Sequence, residues 1–253
     1  MISVIKDVEI NDLAYFKNLK IAQNNNYFKV SLDSILLPDF VDINSDFKRI
    51  IDFCTGNAPV PLILSTKTKS IIYGVELQKE IFDLAKETVR INNLGNQIKL
   101  LNMNVKDLVN EFETDSFDII TCNPPYFKVY ENSNLNNDVI KTIARHEIEI
   151  TLEEIIKVVK KLLKNNGDFY LVHRTDRLME IIELMRHNNI EPKRIRFIYP
   201  KANKDSNLVL IMGKKNAKVG LKIHYPLIVH NEDESYTDEI IEKFGGSNDT
   251  EKL

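Results

Sequence analysis

The chain has 253 residues, 43% of them hydrophobic and 28% charged, with a formal net charge of −3. That is globular composition with enough length for a sizeable core, and it excludes fibres, disordered tails and a uniformly basic nucleic-acid sleeve. Cys54 and Cys122 are too few for a disulfide scaffold, no apolar run reaches the ~18 residues of a membrane span, and the N-terminus lacks a cleavable leader pattern. The expectation is a soluble, reduced, cytoplasmic protein with no membrane segment and no metal, since the histidines show no ligand spacing.

From Arg49 onward, short apolar runs alternate with helix-period segments. Arg49–Phe53 reads as a buried strand containing Asp52, and the turn Cys54-Thr55-Gly56-Asn57 leads to a short helix over Ala58–Leu64. Ser70–Glu76 is a second strand ending in an acid. Leu77–Asn92 is helical, because Ile81, Leu84, Ala85, Thr88 and Val89 recur at three- and four-residue steps. Ile98–Met103 and Phe117–Cys122 are the next strands, the latter running into Asn123-Pro124-Pro125-Tyr126. A long polar loop covers 127–147, and Thr151–Leu163 is a helix opened by a capping box of Thr151 and Glu154. Gly167–His173 is a strand, Thr175–His187 a helix, and Ile190–Tyr199 and Asn207–Met212 are two closing strands.

This alternation predicts an α/β fold: a mostly parallel sheet with helices on both faces and an antiparallel edge hairpin. In such sheets ligands bind beyond the carboxyl ends of the strands. Asp52, Glu76 and either Asn104 or Asp107 lie at those ends. Glu76 follows Asp52 at about the spacing at which an acid meets ribose hydroxyls; the plainer reading is a solvated acid. Asp52 is a ligand contact or a cap for the next helix. Gly56 lets backbone approach a ligand, but the glycine pattern that cradles a pyrophosphate is missing, which argues against nicotinamide and ATP.

Asn123-Pro124-Pro125-Tyr126 is the most informative stretch. Two prolines fix the backbone, so that the Asn side chain and a neighbouring carbonyl aim acceptors at one point beside the Tyr126 ring. Such a site suits a flat amino group. Its lone pair is delocalised, and acceptors placed on its two hydrogens help to localise it for attack on a positioned electrophile.

On these residues the chain resembles the class I S-adenosylmethionine-dependent N-methyltransferases. The resemblance implies a Rossmann-like, seven-stranded, mostly parallel sheet, S-adenosyl-L-methionine as cofactor, and methylation of a planar amine, with Asn123, Pro124, Pro125 and Tyr126 as catalytic residues. Asp52-x-Cys54-x-Gly56-x-Ala58 is similar to the family's methionine-binding loop, departing from it at Cys54 and Ala58. Glu76, with Leu77 beside it, matches the ribose acid. Asn104, next to Val105, matches the residue that faces the cofactor adenine, with Asp107 as the substitute acid. The segment Leu19–Gln23 with Tyr27–Leu37, which includes Phe28 and Asp33, is similar to the cofactor-covering segment of bacterial adenine-N6 methyltransferases that modify valine tRNA at position 37. Ala144–Glu147, Ile195–Leu210, Tyr225–His230 and Tyr236-Thr237 extend that similarity over nearly the whole chain.

The implied organisation is a covering segment over 1–48, a methyltransferase domain over 49–213 and a C-terminal extension over 214–253. The basic run Lys193–Lys222, with nine Lys or Arg against Asp205 alone, is a candidate surface for the tRNA anticodon loop, or simply a solvated face. The loop over 127–147 adds Lys128, Lys141, Arg145 and His146. The same tetrapeptide serves glutamine-N5 methyltransferases acting on proteins and rRNA or DNA adenine methyltransferases. The first usually carry a helical N-terminal domain and the DNA enzymes a sizeable target-recognition domain.

Overall fold

The computed structural model describes residues 8–13, 16–24, 27, 30–43, 49–126 and 149–245. Strands β3 (Arg49–Phe53), β4 (Ile71–Glu76), β5 (Ile98–Asn102), β6 (Phe117–Cys122) and β7 (Leu163–Arg174) are mutually parallel. Strand β9 (Leu208–Lys215) runs antiparallel between β7 and β8 (Ile190–Tyr199). These are the seven expected strands. Two short strands of two residues each, β10 (Lys222–Ile223) and β11 (Leu227–Ile228), add to β8 from beyond it, so the sheet has nine. Its order is β10-β8-β9-β7-β6-β3-β4-β5.

β3 and β6 are near-continuous apolar runs because the sheet buries both of their faces. Alternate residues feed two cores. Ile50, Ile72, Ile119 and Val172 pack with α1 (Leu32–Phe40) and α2 (Pro59–Lys67) on one face. Ile51, Val75, Ile120 and Leu171 pack with α5 (Leu152–Leu162) and α6 (Leu178–His187) on the other. Helix α3 (Lys79–Ile91) buries Leu84, Ala85, Thr88 and Val89, four residues of its expected apolar stripe. The short α4 (Leu108–Glu111) leads into β6, and α7 (Asp238–Lys243) closes the described chain.

Residues before β3 form a hairpin, β1 (Val8–Leu13) and β2 (Phe16–Asn24), followed by α1. The hairpin docks on α3, where the Thr88 hydroxyl accepts from the Ala22 N–H at 3.0 Å. At α5 the capping box is complete. Thr151 accepts from the Glu154 N–H at 3.3 Å, and Glu154 accepts from the Thr151 N–H at 2.8 Å. Thr151→Ala is expected to lower unfolding free energy by about 1 kcal/mol in a urea titration, and an unchanged midpoint would remove the cap from the stability account.

Candidate active site

The carboxyl ends of β3, β4, β5 and β6 enclose a cavity of about 360 Å³ with the start of α1 leaning over it. Asp33, Cys54, Gly56, Glu76, Leu77, Asn104, Val105 and Asn123 through Tyr126 line it together. Val30, Ser31 and Ser34, from the segment expected to cover the cofactor, line it as well, and so do Thr55, Gln78, Met103 and Ile150, which the sequence does not single out. Phe28 and the 127–147 loop lie outside the described residues, apart from the loop's neighbours Glu149 and Ile150.

The loop after β3 explains its departures from the glycine pattern. Cys54, Gly56 and Ala58 all adopt left-handed backbone, at φ of 56°, 58° and 70°. These are backbone conformations that favour glycine, yet two of the three residues carry a Cβ, each at a cost of about 1 kcal/mol or more. Gly56 has open space where a Cβ would project. Cys122 is fully buried at the end of β6, and burial pushes its thiol well above the ordinary range.

Glu76 holds this loop. Its carboxylate accepts from the Gly56 N–H at 3.0 Å and from the Gln78 N–H at 2.8 Å. Burial raises its pKa, and these backbone donors oppose the rise. A carboxylate offers about four lone-pair directions, and with Gly56, Gln78 and a backbone bond from Leu77 on it, capacity remains for a ligand hydroxyl. Asn104 caps the turn after β5 by accepting from the Lys106 N–H at 3.0 Å, which leaves its oxygen one further lone pair. Asp107 does not line the cavity and is exposed.

Asp52 is a correction to the sequence reading. It does not line the cavity; it lies buried beneath the loop and accepts from the Thr121 hydroxyl at 2.6 Å. Its second oxygen has no hydrogen-bond partner among the described residues, the Thr55 hydroxyl lying near enough only to favour the charged form. Burial lifts its pKa from the usual 3.8 to about 7, against the pull of the Thr121 bond. The folded protein therefore keeps this proton between roughly pH 4 and 7, where the unfolded chain has lost it, and stability falls as pH rises through that window. The cost reaches about 4 kcal/mol at most. Asp52→Asn is expected to flatten the decline in unfolding free energy between pH 5 and pH 7.5. Parallel slopes for the two proteins would contradict this.

The end of β6 meets α1. Asn123 donates through Nδ2 to the Ser34 hydroxyl at 3.2 Å, and its amide oxygen lies 2.5 Å from the Tyr126 hydroxyl. That hydroxyl also reaches the Asp33 carboxylate. Burial, then the charge of Asp33, pushes the Tyr126 phenol well above its ordinary range, so it stays a donor. Behind it, His173 packs its ring against Tyr126 with centroids 5.2 Å apart, and Arg177 donates to the Tyr126 carbonyl at 3.3 Å. Burial, with help from the Arg177 charge, lowers His173 to about 3, so this imidazole is neutral.

The basic run is more neutralised than its sequence suggests. Arg194 pairs with Asp42, Arg196 with Glu239, Lys201 with Glu234, Lys214 with Asp168 and Lys215 with Asp115. Lys193 donates to the Lys218 carbonyl. Lys204, Lys218 and Lys222 are exposed. No helix among the described residues is long and apolar enough to cross a membrane.

A parallel block closed by an antiparallel edge, with its cavity at the strand ends, is the architecture of class I methyltransferases. Solved structures share it. A predicted O-methyltransferase from Agrobacterium tumefaciens superposes with a TM-score of 0.66 at 18% identity, over 84% of this chain and 95% of that one. A geranyl diphosphate C-methyltransferase from Streptomyces coelicolor gives 0.56 at 12% identity, over 72% and 76%. The family described as methyltransferase small domain matches residues 18–188, and the chain belongs to it. Among relatives, the tRNA1(Val) (adenine(37)-N6)-methyltransferase of Cytophaga hutchinsonii is 25% identical over 92% of this chain and 95% of its own. The protein of that name from Bacteroides thetaiotaomicron is 30% identical over 66% and 68%.

Proposed function

We propose that this protein transfers a methyl group from S-adenosylmethionine to the N6 amine of an adenine in tRNA, at position 37 of a valine tRNA as in the relatives' name. The observation that carries this reading is the Asn123-Pro124-Pro125-Tyr126 strand end facing the same cavity as Glu76 and the left-handed loop. The cavity suits the cofactor: Glu76 has acceptor capacity left for a ribose hydroxyl, and Asn104 has an oxygen for an adenine amine. The cofactor supplies an electrophilic methyl carbon.

The chain's own residues do the rest. Asn123 Oδ1 and the Pro124 carbonyl accept hydrogen bonds from the two amine hydrogens, one of which leaves to water once the methyl group has transferred, and Tyr126 turns its face to the base. Base stacking and unpairing are easiest in an anticodon loop, where the nucleotide is already unpaired. Residues 30–40 of the segment over 1–48 act as a cover, since Val30, Ser31, Asp33 and Ser34 border the cavity. A tRNA substrate supports the cytoplasm as the place of action.

The described N-terminal residues form one hairpin and one helix, which offers little to the protein-glutamine alternative. Incubation with labelled cofactor and either tRNA, release factor or DNA tests the reading. Label recovered from tRNA as N6-methyladenosine supports it; label in release factor or DNA alone defeats it.

A further inference from the structure

The segment Val219–Pro226 at the free edge of the sheet is held firmly yet shows its side chains to solvent. Lys222 and Ile223 pair with Arg194 and Ile195, and the His224 N–H donates to the Ile195 carbonyl at 2.8 Å. Arg196 donates through Nε to the Tyr225 carbonyl at 3.1 Å and is itself anchored on Glu239 at 2.5 Å. On this fixed backbone Tyr225 is 90% exposed, Val219 78% and Ile223 65%. Lys218 and Lys222 stand beside them in the open. No acidic residue occurs between Asp205 and Glu232. A rigid, solvent-facing aromatic following two exposed lysines is a surface that a single-stranded polyanion with flat bases would fit.

We propose that this edge is a second RNA contact: Tyr225 stacks on an unpaired base while Lys218 and Lys222 meet the neighbouring phosphates. The inference deepens the tRNA reading and rests on it. Four interstrand steps separate β10 from β6. At about 4.8 Å each they put the edge about 20 Å from the catalytic strand end, about the width of a nucleic-acid duplex. Anchoring the Tyr225 backbone through Arg196 spares the ordering cost that a loose loop would carry on binding. A second copy of the chain is the poorer occupant. The strand is two residues long, contains a lysine and stops near Pro226, which are features that discourage edge-to-edge pairing.

The chain contains no tryptophan, so Tyr225→Trp places a single fluorophore on the edge. Adding an unmodified anticodon stem-loop RNA is expected to quench it, and that signal does not depend on catalysis. Tyr225→Ala is expected to raise KM for the RNA about tenfold, with kcat within twofold and cofactor affinity unchanged. Lys218→Ala with Lys222→Ala is expected to reduce the slope of log affinity against log salt by about two. Unquenched emission, or an unchanged KM in Tyr225→Ala, overturns the proposal while leaving methyl transfer to RNA standing. Emission that shifts with protein concentration alone overturns it in favour of self-association. Quenching by RNA without any methyl transfer keeps the edge contact and removes the catalytic reading.

Discussion

Asn123→Ala is expected to lower kcat by about 10²- to 10³-fold while cofactor affinity stays within about threefold. The amide oxygen of Asn123 is an acceptor fixed by the strand end and by the Nδ2 bond to Ser34. Its bond to an amine hydrogen strengthens as the nitrogen lone pair localises and attacks, so its loss falls on the chemical step. The variant also frees Tyr126 from one partner, so thermal melts must accompany the kinetics. A native-like melt with kcat within threefold of the parent would refute the assigned role.

Glu76→Ala is expected to weaken the cofactor about 100-fold by calorimetry. A charge-assisted hydrogen bond to a ribose hydroxyl, at up to about 3 kcal/mol, gives that magnitude. Part of the loss comes through the loop, because Gly56 and Gln78 lose their acceptor at the same time. Glu76→Gln keeps one oxygen and is expected to fall between the two, near tenfold. Equal affinities in all three proteins would take Glu76 out of cofactor recognition.

Much of this architecture is legible from residue order. Phe117–Cys122 begins and ends where its apolar run does, because it is a strand inside the sheet. β7 starts at Leu163 rather than Gly167, since Lys164, Asn165 and Asn166 are partly or fully exposed and hide a strand behind polar side chains. β10 and β11 carry no readable period in two residues each; they exist because β8 has an edge to offer. At the site, neighbours in sequence were visible and contacts across the chain were not. Tyr126 meets Asp33 from 93 positions away, and no spacing rule reaches that far. The Lys193–Lys222 run is only partly legible for the same reason: charges can be counted, but Asp42, which pairs with Arg194, lies 152 positions from it. Asp52 was visible as a strand-end acid, yet whether such an acid faces outward or inward depends on a Thr121 hydroxyl from the adjacent strand.

The Tyr126 hydroxyl already engages the amide oxygen that an incoming amine would use. The oxygen keeps one further lone pair, so an incoming amine shares it with the phenol, and the single hydrogen bond gained there is the same for every adenine. Discrimination among adenines has to come from elsewhere: from the flat ring, and from whatever the rest of the nucleic acid touches on the protein. A free nucleotide, presenting the same amine without those distant holds, competes poorly, and so the enzyme's choice of target is made mainly outside the pocket where the methyl group moves.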